Sequence, residues 1–261
     1  MKRPLTLIWA LGLVAWGTPA ANAVTLIGGS INNGWMDSTH AEQAAPGFFL
    51  PKPNVWIYEG SRTISGPYAD GLDSEPWAGP APTPVTNGNL ANAPFPDGCG
   101  NVITDGDCGV FYKPFAGNAT DGALNVTLYQ DNPATPGLTY TLTGWAGAEA
   151  NFLGTGEFDI EFLDGSNTVI GGTSLDLNAA GLFVPNGQPF NYKSYQLSAV
   201  APPGSAVVRV SSRLLDGMSN PAGGGQAYVV DDFSLVAVPE PASIALVALG
   251  VGWLGLARRR Q

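Results

Sequence analysis

The chain has 261 residues with 21 Asp and Glu against 11 Lys and Arg, a formal net charge of −10 at pH 7, 35 glycines, 22 prolines and only 12% charged residues. Five of the basic residues lie in the two terminal segments, so the stretch from Val24 to Val238 has 20 acidic residues against 6 basic ones, a net charge near −14. A surface of that sign repels phosphate backbones and anionic lipid, which argues against nucleic acid and leaves cations and neutral sugars as compatible partners.

The chain opens MKRPLTLIWALGLVAWGTPAANA: basic at Lys2 and Arg3, apolar from Leu5 to Trp16, and small at Ala21-Asn22-Ala23. That is the layout of a secretory signal peptide over residues 1–23, cut after Ala23 so that the mature chain begins at Val24. As a permanent anchor the apolar run is too short, because crossing a bilayer takes about 20 apolar residues. Export places the only two cysteines, Cys99 and Cys108 of CGNVITDGDC, in an oxidising compartment, where a disulfide closing that Gly-rich loop is expected. A zinc site is the weaker reading, since no second Cys or His pair completes a tetrahedron.

Residues 24–237 suit one domain, and about 200 residues is an ordinary size for a β-sandwich. From Pro46 to Asp107 the chain is crowded with Pro, Gly and Asn, which predicts long ordered loops over a few strands. Within it, VWIYEG alternates so that Val55 and Ile57 share one face while Trp56 and Tyr58 share the other, a candidate aromatic platform for sugar rings. Trp77, set among prolines, is a third candidate for ligand binding. Trp35, Tyr112 and Trp145 are further aromatics that could stack on sugar rings, with core packing the favoured reading for most of the set.

Further on, LNVTLYQ (Leu124 to Gln130) predicts a strand, Pro133 to Gly137 a turn, and LTYTLTGWA (Leu138 to Ala146) the next strand. GEFDIEFLDG alternates with Phe158, Ile160 and Phe162 toward a core and Glu157, Asp159 and Glu161 toward water. Two more strands flank Pro202-Pro203-Gly204, and QAYVVDDFSLV (Gln226 to Val236) is the last. No stretch of the body keeps a 3.6-residue period with caps, so few or no helices are expected there. The expected fold is therefore all-β, an antiparallel sandwich.

Catalytic chemistry finds little support. His40 is the only histidine, it lies in a loop-like stretch, and no Gly-x-Ser-x-Gly accompanies it. Glu157, Asp159 and Glu161 sit at distances a glycosidase uses, yet one strand presents all three to the same side, whereas a glycosidase needs carboxylates that flank the bond. A solvated acidic face or a weak cation site is the favoured reading. The acidic group Asp70, Asp73 and Glu75 reads as a loop that serves equally as turn chemistry or calcium ligation.

Two resemblances sharpen this picture. LYQDNPATPGLTYTLTGWAGAE, YKSYQLSAVAPPGSAVVRV and VVDDFSL, between Leu124 and Val236, resemble family 4/9-type carbohydrate-binding modules. The resemblance implies a galactose-binding-like jelly roll with adjacent first and last strands. It also implies a structural calcium at Asp231 and Asp232, where closing-strand carboxylates meet backbone oxygens of the opening segment. By alternation Asp231 would share a face with Val229, Phe233 and Leu235, so its charge needs an ion or a backbone-capping role.

At the C-terminus, Pro239-Glu240-Pro241, an apolar stretch and then Arg258-Arg259-Arg260 resemble the PEP-CTERM sorting signal of exopolysaccharide-producing Gram-negative bacteria. The resemblance implies recognition by an exosortase and cleavage near Pro-Glu-Pro. A single hydrophobic helix over 243–257 would hold the chain transiently in the membrane while the arginines stay cytoplasmic. Residues 238–261 are thus a sorting segment. The expected protein is exported through the inner membrane to the cell envelope or extracellular matrix, is not an enzyme, and binds polysaccharide. A structural or adhesive protein-binding module is the alternative, with a hydrolase behind both.

Overall fold

The computed structural model describes residues 22–60, 71–76, 108–114 and 122–239. Outside them lie the signal peptide up to Ala21, Trp77, Cys99, and the tail from Glu240 onward with Pro241, the segment 243–257 and Arg258, Arg259 and Arg260. Ala23–Glu240 form one compact unit.

Among the described residues the chain builds strands and no α-helix. They are β1 (Val24–Ile27), β2 (Thr39–Ala45), β3 (Phe48–Pro53), β4 (Ile57–Gly60), β5 (Leu72–Pro76), β6 (Cys108–Tyr112), β7 (Leu124–Pro133), β8 (Leu138–Ala148), β9 (Leu153–Leu163), β10 (Val169–Asp176), β11 (Lys193–Val200), β12 (Val207–Met218) and β13 (Tyr228–Pro239). One sheet runs β11-β8-β13-β6-β5 with β1 also on β13, the other runs β10-β9-β12-β7-β4, and β2 with β3 forms a small hairpin sheet. Every pairing is antiparallel. From β7 to β13 the chain crosses repeatedly between the two large sheets, which is the winding of a jelly roll.

Alternation makes the core. Phe158, Ile160 and Phe162 on β9, Val208 and Val210 on β12, and Leu124, Val126 and Leu128 on β7 are wholly buried on one side, facing Tyr140, Leu142, Phe233 and Leu235 of the other sheet. Gly144 on β8 lets Phe233 and Phe158 meet edge to face with ring centroids 5.1 Å apart. Tyr112 and Tyr228 stack at 4.9 Å in the same core, and their hydroxyls reach Ser212, through its carbonyl at 3.0 Å and its Oγ at 3.1 Å.

One strand is new and two expectations change. β10 (VIGGTSLD) was not among the expected strands; its Gly172 has φ 149° and opposes Glu161 where a Cβ would strike the Ile160 carbonyl. Asp73 is not a loop residue: it lies on β5, 3% exposed, and pairs with Lys113 at 2.8 Å. Asp231 does not share a face with Phe233 and Leu235. A bulge between Asp231 and Ser234, with Asp232 at φ 48°, inserts one residue against β8. Before the bulge Asp231 lies on the face of Val229, opposite Trp145, and after it Phe233 and Leu235 turn into the core.

Candidate functional site

The outer face of the β10-β9-β12-β7-β4 sheet carries a connected set of interacting polar side chains. Its centre is VVRVSSRLL of β12, where Arg209, Ser211 and Arg213 occupy alternate positions. The register sets Arg209 between Asp131 and Glu161, Ser211 between Tyr129 and Asp159, and Arg213 between Thr127 and Glu157. β10 adds Ser174 opposite Asp159 and Asp176 opposite Glu157.

Contacts follow the register. Arg209 grips Asp131 with two bonds, Nε to Oδ1 at 2.7 Å and a terminal nitrogen to Oδ2 at 2.8 Å, and its guanidinium lies 4.1 Å from the Tyr129 ring centre. The Tyr129 hydroxyl donates to Glu59 at 3.2 Å. Arg213 reaches diagonally, its Nε 3.1 Å from Asp159 Oδ2 and a terminal nitrogen 3.1 Å from Glu161. Asp159 also accepts from Ser174 at 2.5 Å and Ser211 at 3.0 Å.

Asp159 is the surprise of this face. Expected to be wet, it is 1% exposed, roofed by the side chains that bind it. Burial pushes its carboxyl above the ordinary Asp value, against the opposing pull of Ser174, Arg213 and Ser211. Glu157 is raised as well, first by burial and then by the neighbouring Asp159 charge. The Asp131 contact holds the Arg209 guanidinium above its usual range. The β9 carboxylates and their β12 arginines thus make a lattice of forked donors and acceptors, spaced about 4.8 Å across strands and about 7 Å along them.

Aromatic candidates fall elsewhere. Trp56 is 5% exposed: its Nε1 donates to the Asn33 carbonyl at 3.1 Å and its ring lies 5.1 Å from Phe233. Tyr58 is half-buried, bonded to the Glu42 carboxylate and lying under Lys52 Nζ at 4.8 Å. The two aromatics do share a face, but it is the inward one, and Val55 and Ile57 point to solvent at 59% and 49% exposure. The reason is packing, because the inner side of β4 must help close the sandwich and the larger side chains fill it. Tyr112 is core, and Trp145 is half-buried in a stack on Tyr192 at 5.6 Å. Trp77 lies outside the described residues.

At the other sheet, Asp231 is 2% exposed and its Oδ1 accepts the Asp232 N–H at 2.8 Å. The opening segment does run beside it, with Phe233 N–H donating to the Gly34 carbonyl at 2.7 Å. Among the described residues no cluster of three or more His, Cys, Asp or Glu is arranged to hold a metal ion. Asp231 and Asp232 are adjacent carboxylates, the donor type an oxygen-seeking ion takes together with carbonyl and water ligands. His40 Nδ1 pairs with Asn54 Oδ1 at 2.9 Å, and its Nε2 lies 3.8 Å from Glu42. Cys108 is wholly buried at the head of β6, where its N–H donates to Asp37 at 2.8 Å.

β13 ends at Pro239, and the chain continues as Glu240-Pro241, an apolar stretch and three arginines. Residues 237–261 match the PEP-CTERM protein-sorting motif. A PEP-CTERM tail implies export through the membrane and exosortase sorting to the cell surface or envelope, as in Gram-negative bacteria. No curated protein matches the sequence. Among solved structures, a cyclase from Fischerella sp. TAU is 14% identical over 84% of this chain and 100% of its own, with a TM-score of 0.48. A CBM4 structure is 14% identical over 81% of this chain and 100% of its own, with a TM-score of 0.38. The enzymatically active domain of tailspike protein 4 from bacteriophage CBA120 is 11% identical over 70% of this chain, which spans only 19% of that protein, with a TM-score of 0.42.

Sequence reasoning found the β9 carboxylates but missed Arg209, Arg213, Asp131, Tyr129, Ser174 and Ser211 as their partners. A usable signal existed: Arg-x-Ser-x-Arg on one strand is the charge complement of Glu-x-Asp-x-Glu on another, at the same period of two.

Proposed function

We propose that the chain is an exported, non-catalytic envelope or matrix protein that binds polysaccharide through the outer face of its β10-β9-β12-β7-β4 sheet. The observation that carries this reading is the ordered lattice of Arg209-Asp131 and Arg213-Asp159-Glu161. Forked groups held in register by a rigid sheet suit the hydroxyls of an extended sugar chain, and they come in place before any ligand arrives. The strands that build the face, β7, β9 and β12, all come from the stretch that resembles family 4/9-type carbohydrate-binding modules. A binding role agrees with carboxylates that are each engaged by a neighbouring cation or hydroxyl on one side of one strand.

Affinity electrophoresis of the secreted protein in gels containing neutral and acidic polysaccharides tests this. Retardation by at least one polymer is expected, and Arg209→Ala should abolish it while the melting temperature holds; no retardation by any polymer, the producing cell's own exopolysaccharide included, sinks the proposal. We further propose that Asp231 and Asp232 hold a structural calcium with backbone oxygens of the opening segment. Calcium should then raise the melting temperature of the wild type and not of Asp231→Asn; identical melts with calcium and with chelator contradict it.

A further inference from the structure

The folded body and the sorting motif overlap. The motif match begins at residue 237, and β13 runs on to Pro239, so the first three motif residues are also the last three of the closing strand. On one side Ala237, Val238 and Pro239 pair with Tyr140, Thr139 and Leu138 of β8. On the other, β1 pairs Val24 with Ala237, Thr25 with Val236 and Ile27 with Leu235. Residues 235–237 are therefore held from both sides, Leu235 and Ala237 are buried, and only Val238 and Pro239 have one open edge.

The other end of the chain meets the same place. Val24 is both the expected new N-terminus and the first residue of β1, and its ladder partner is Ala237, two residues before Pro239. Neither processing point has a linker between it and the sheet. A protease acts on chain that can open into its cleft, and a peptide bond inside a two-sided ladder is cut only from an opened state.

From this overlap we propose that the β1/β13/β8 ladder sets the C-terminal boundary of the mature protein, so that the sorting cut falls after Pro239 and waits on fraying of the last strand residues. The inference rests on the sorting reading of the tail. In the cut, one peptide C–N bond breaks: the carbonyl carbon passes to water, or to an amine if the protease transfers the chain, and the nitrogen leaves on the tail with a proton. Because the subsites ahead of that bond need extended chain, wild type must release Val238 and Pro239 from β8 before it is cut. Each ladder hydrogen bond shifts such an opening by about fivefold.

The test uses the full chain in an exosortase-bearing host, compared with a chain carrying Gly-Ser-Gly-Ser inserted between Val238 and Pro239. The insertion keeps Pro239-Glu240-Pro241 whole and leaves the ladder intact up to Val238. Mass spectrometry of the wild-type product should find its C-terminus at Pro239 or later, and pulse-chase should show the inserted chain processed at least about fivefold faster. A C-terminus at Val238 or earlier, or equal rates for the two chains, overturns this proposal while leaving sorting intact. A tail left uncut in both chains overturns the sorting reading and this proposal with it.

Discussion

Replacing Arg213 by alanine withdraws the only cation among the described residues that contacts Asp159, a carboxylate with 1% exposure. Removing one partner of a fully buried pair costs about 3–5 kcal/mol. Arg213 is 26% exposed, and the Ser174 and Ser211 hydroxyls still bond the carboxylate after the change. Water screening and those two bonds bring the expected loss to about 1.5–3 kcal/mol at pH 7. The loss must also depend on pH. Burial already raises the folded-state value for Asp159, so its contribution is fully present below the unfolded pKa and declines as pH rises through the folded one. Arg213 works against that rise; without it the folded value climbs further, and the decline extends to higher pH. Arg213→Ala should therefore cost most near neutrality and progressively less toward about pH 4, the ordinary Asp range. Urea melts at both pH values measure this, and in an Asp159→Asn background the same replacement should cost less than about 1 kcal/mol. An equal loss at both pH values, or one unchanged by Asp159→Asn, would refute a buried carboxylate held by Arg213.

Gly144→Ala places a Cβ 2.7 Å from Phe233 and 2.9 Å from Phe158, inside the central aromatic cluster. Overpacking of this kind costs about 1–3 kcal/mol and should lower the melting temperature by about 2–10 °C; an unchanged melt would mean the two rings are not packed against this glycine. Titration of the unfolded, unreduced secreted protein should find no free thiol if Cys99 and Cys108 are joined, whereas two titratable thiols contradict the disulfide.

The fold was legible where alternation was clean. Phe158, Ile160 and Phe162 declared one face of β9, and the Pro202-Pro203-Gly204 turn separated β11 from β12 as expected. Legibility failed where local signals and tertiary needs diverge. β10 was not among the expected strands, and it uses Gly172 where a side chain would strike the neighbouring strand. Trp56 and Tyr58 were correctly assigned to one face, yet which face points inward depends on where β4 sits in its sheet, and sequence does not carry that. The bulge at Asp232 turned the phase of β13 by one residue, which no period-two count can foresee. The candidate site was half visible: the acidic ladder of β9 stood out, while its burial depended on a strand some 50 residues away that delivers Arg213 and Ser211 across it.

Deleting the exosortase from the producing cell is the most direct test of the account. With the enzyme present, the protein should be found in the envelope or matrix fraction with its C-terminal arginines gone. Without it, the full tail should persist and the protein should shift to the inner-membrane fraction. The same mass and the same distribution in both strains would contradict a sorted, exported protein.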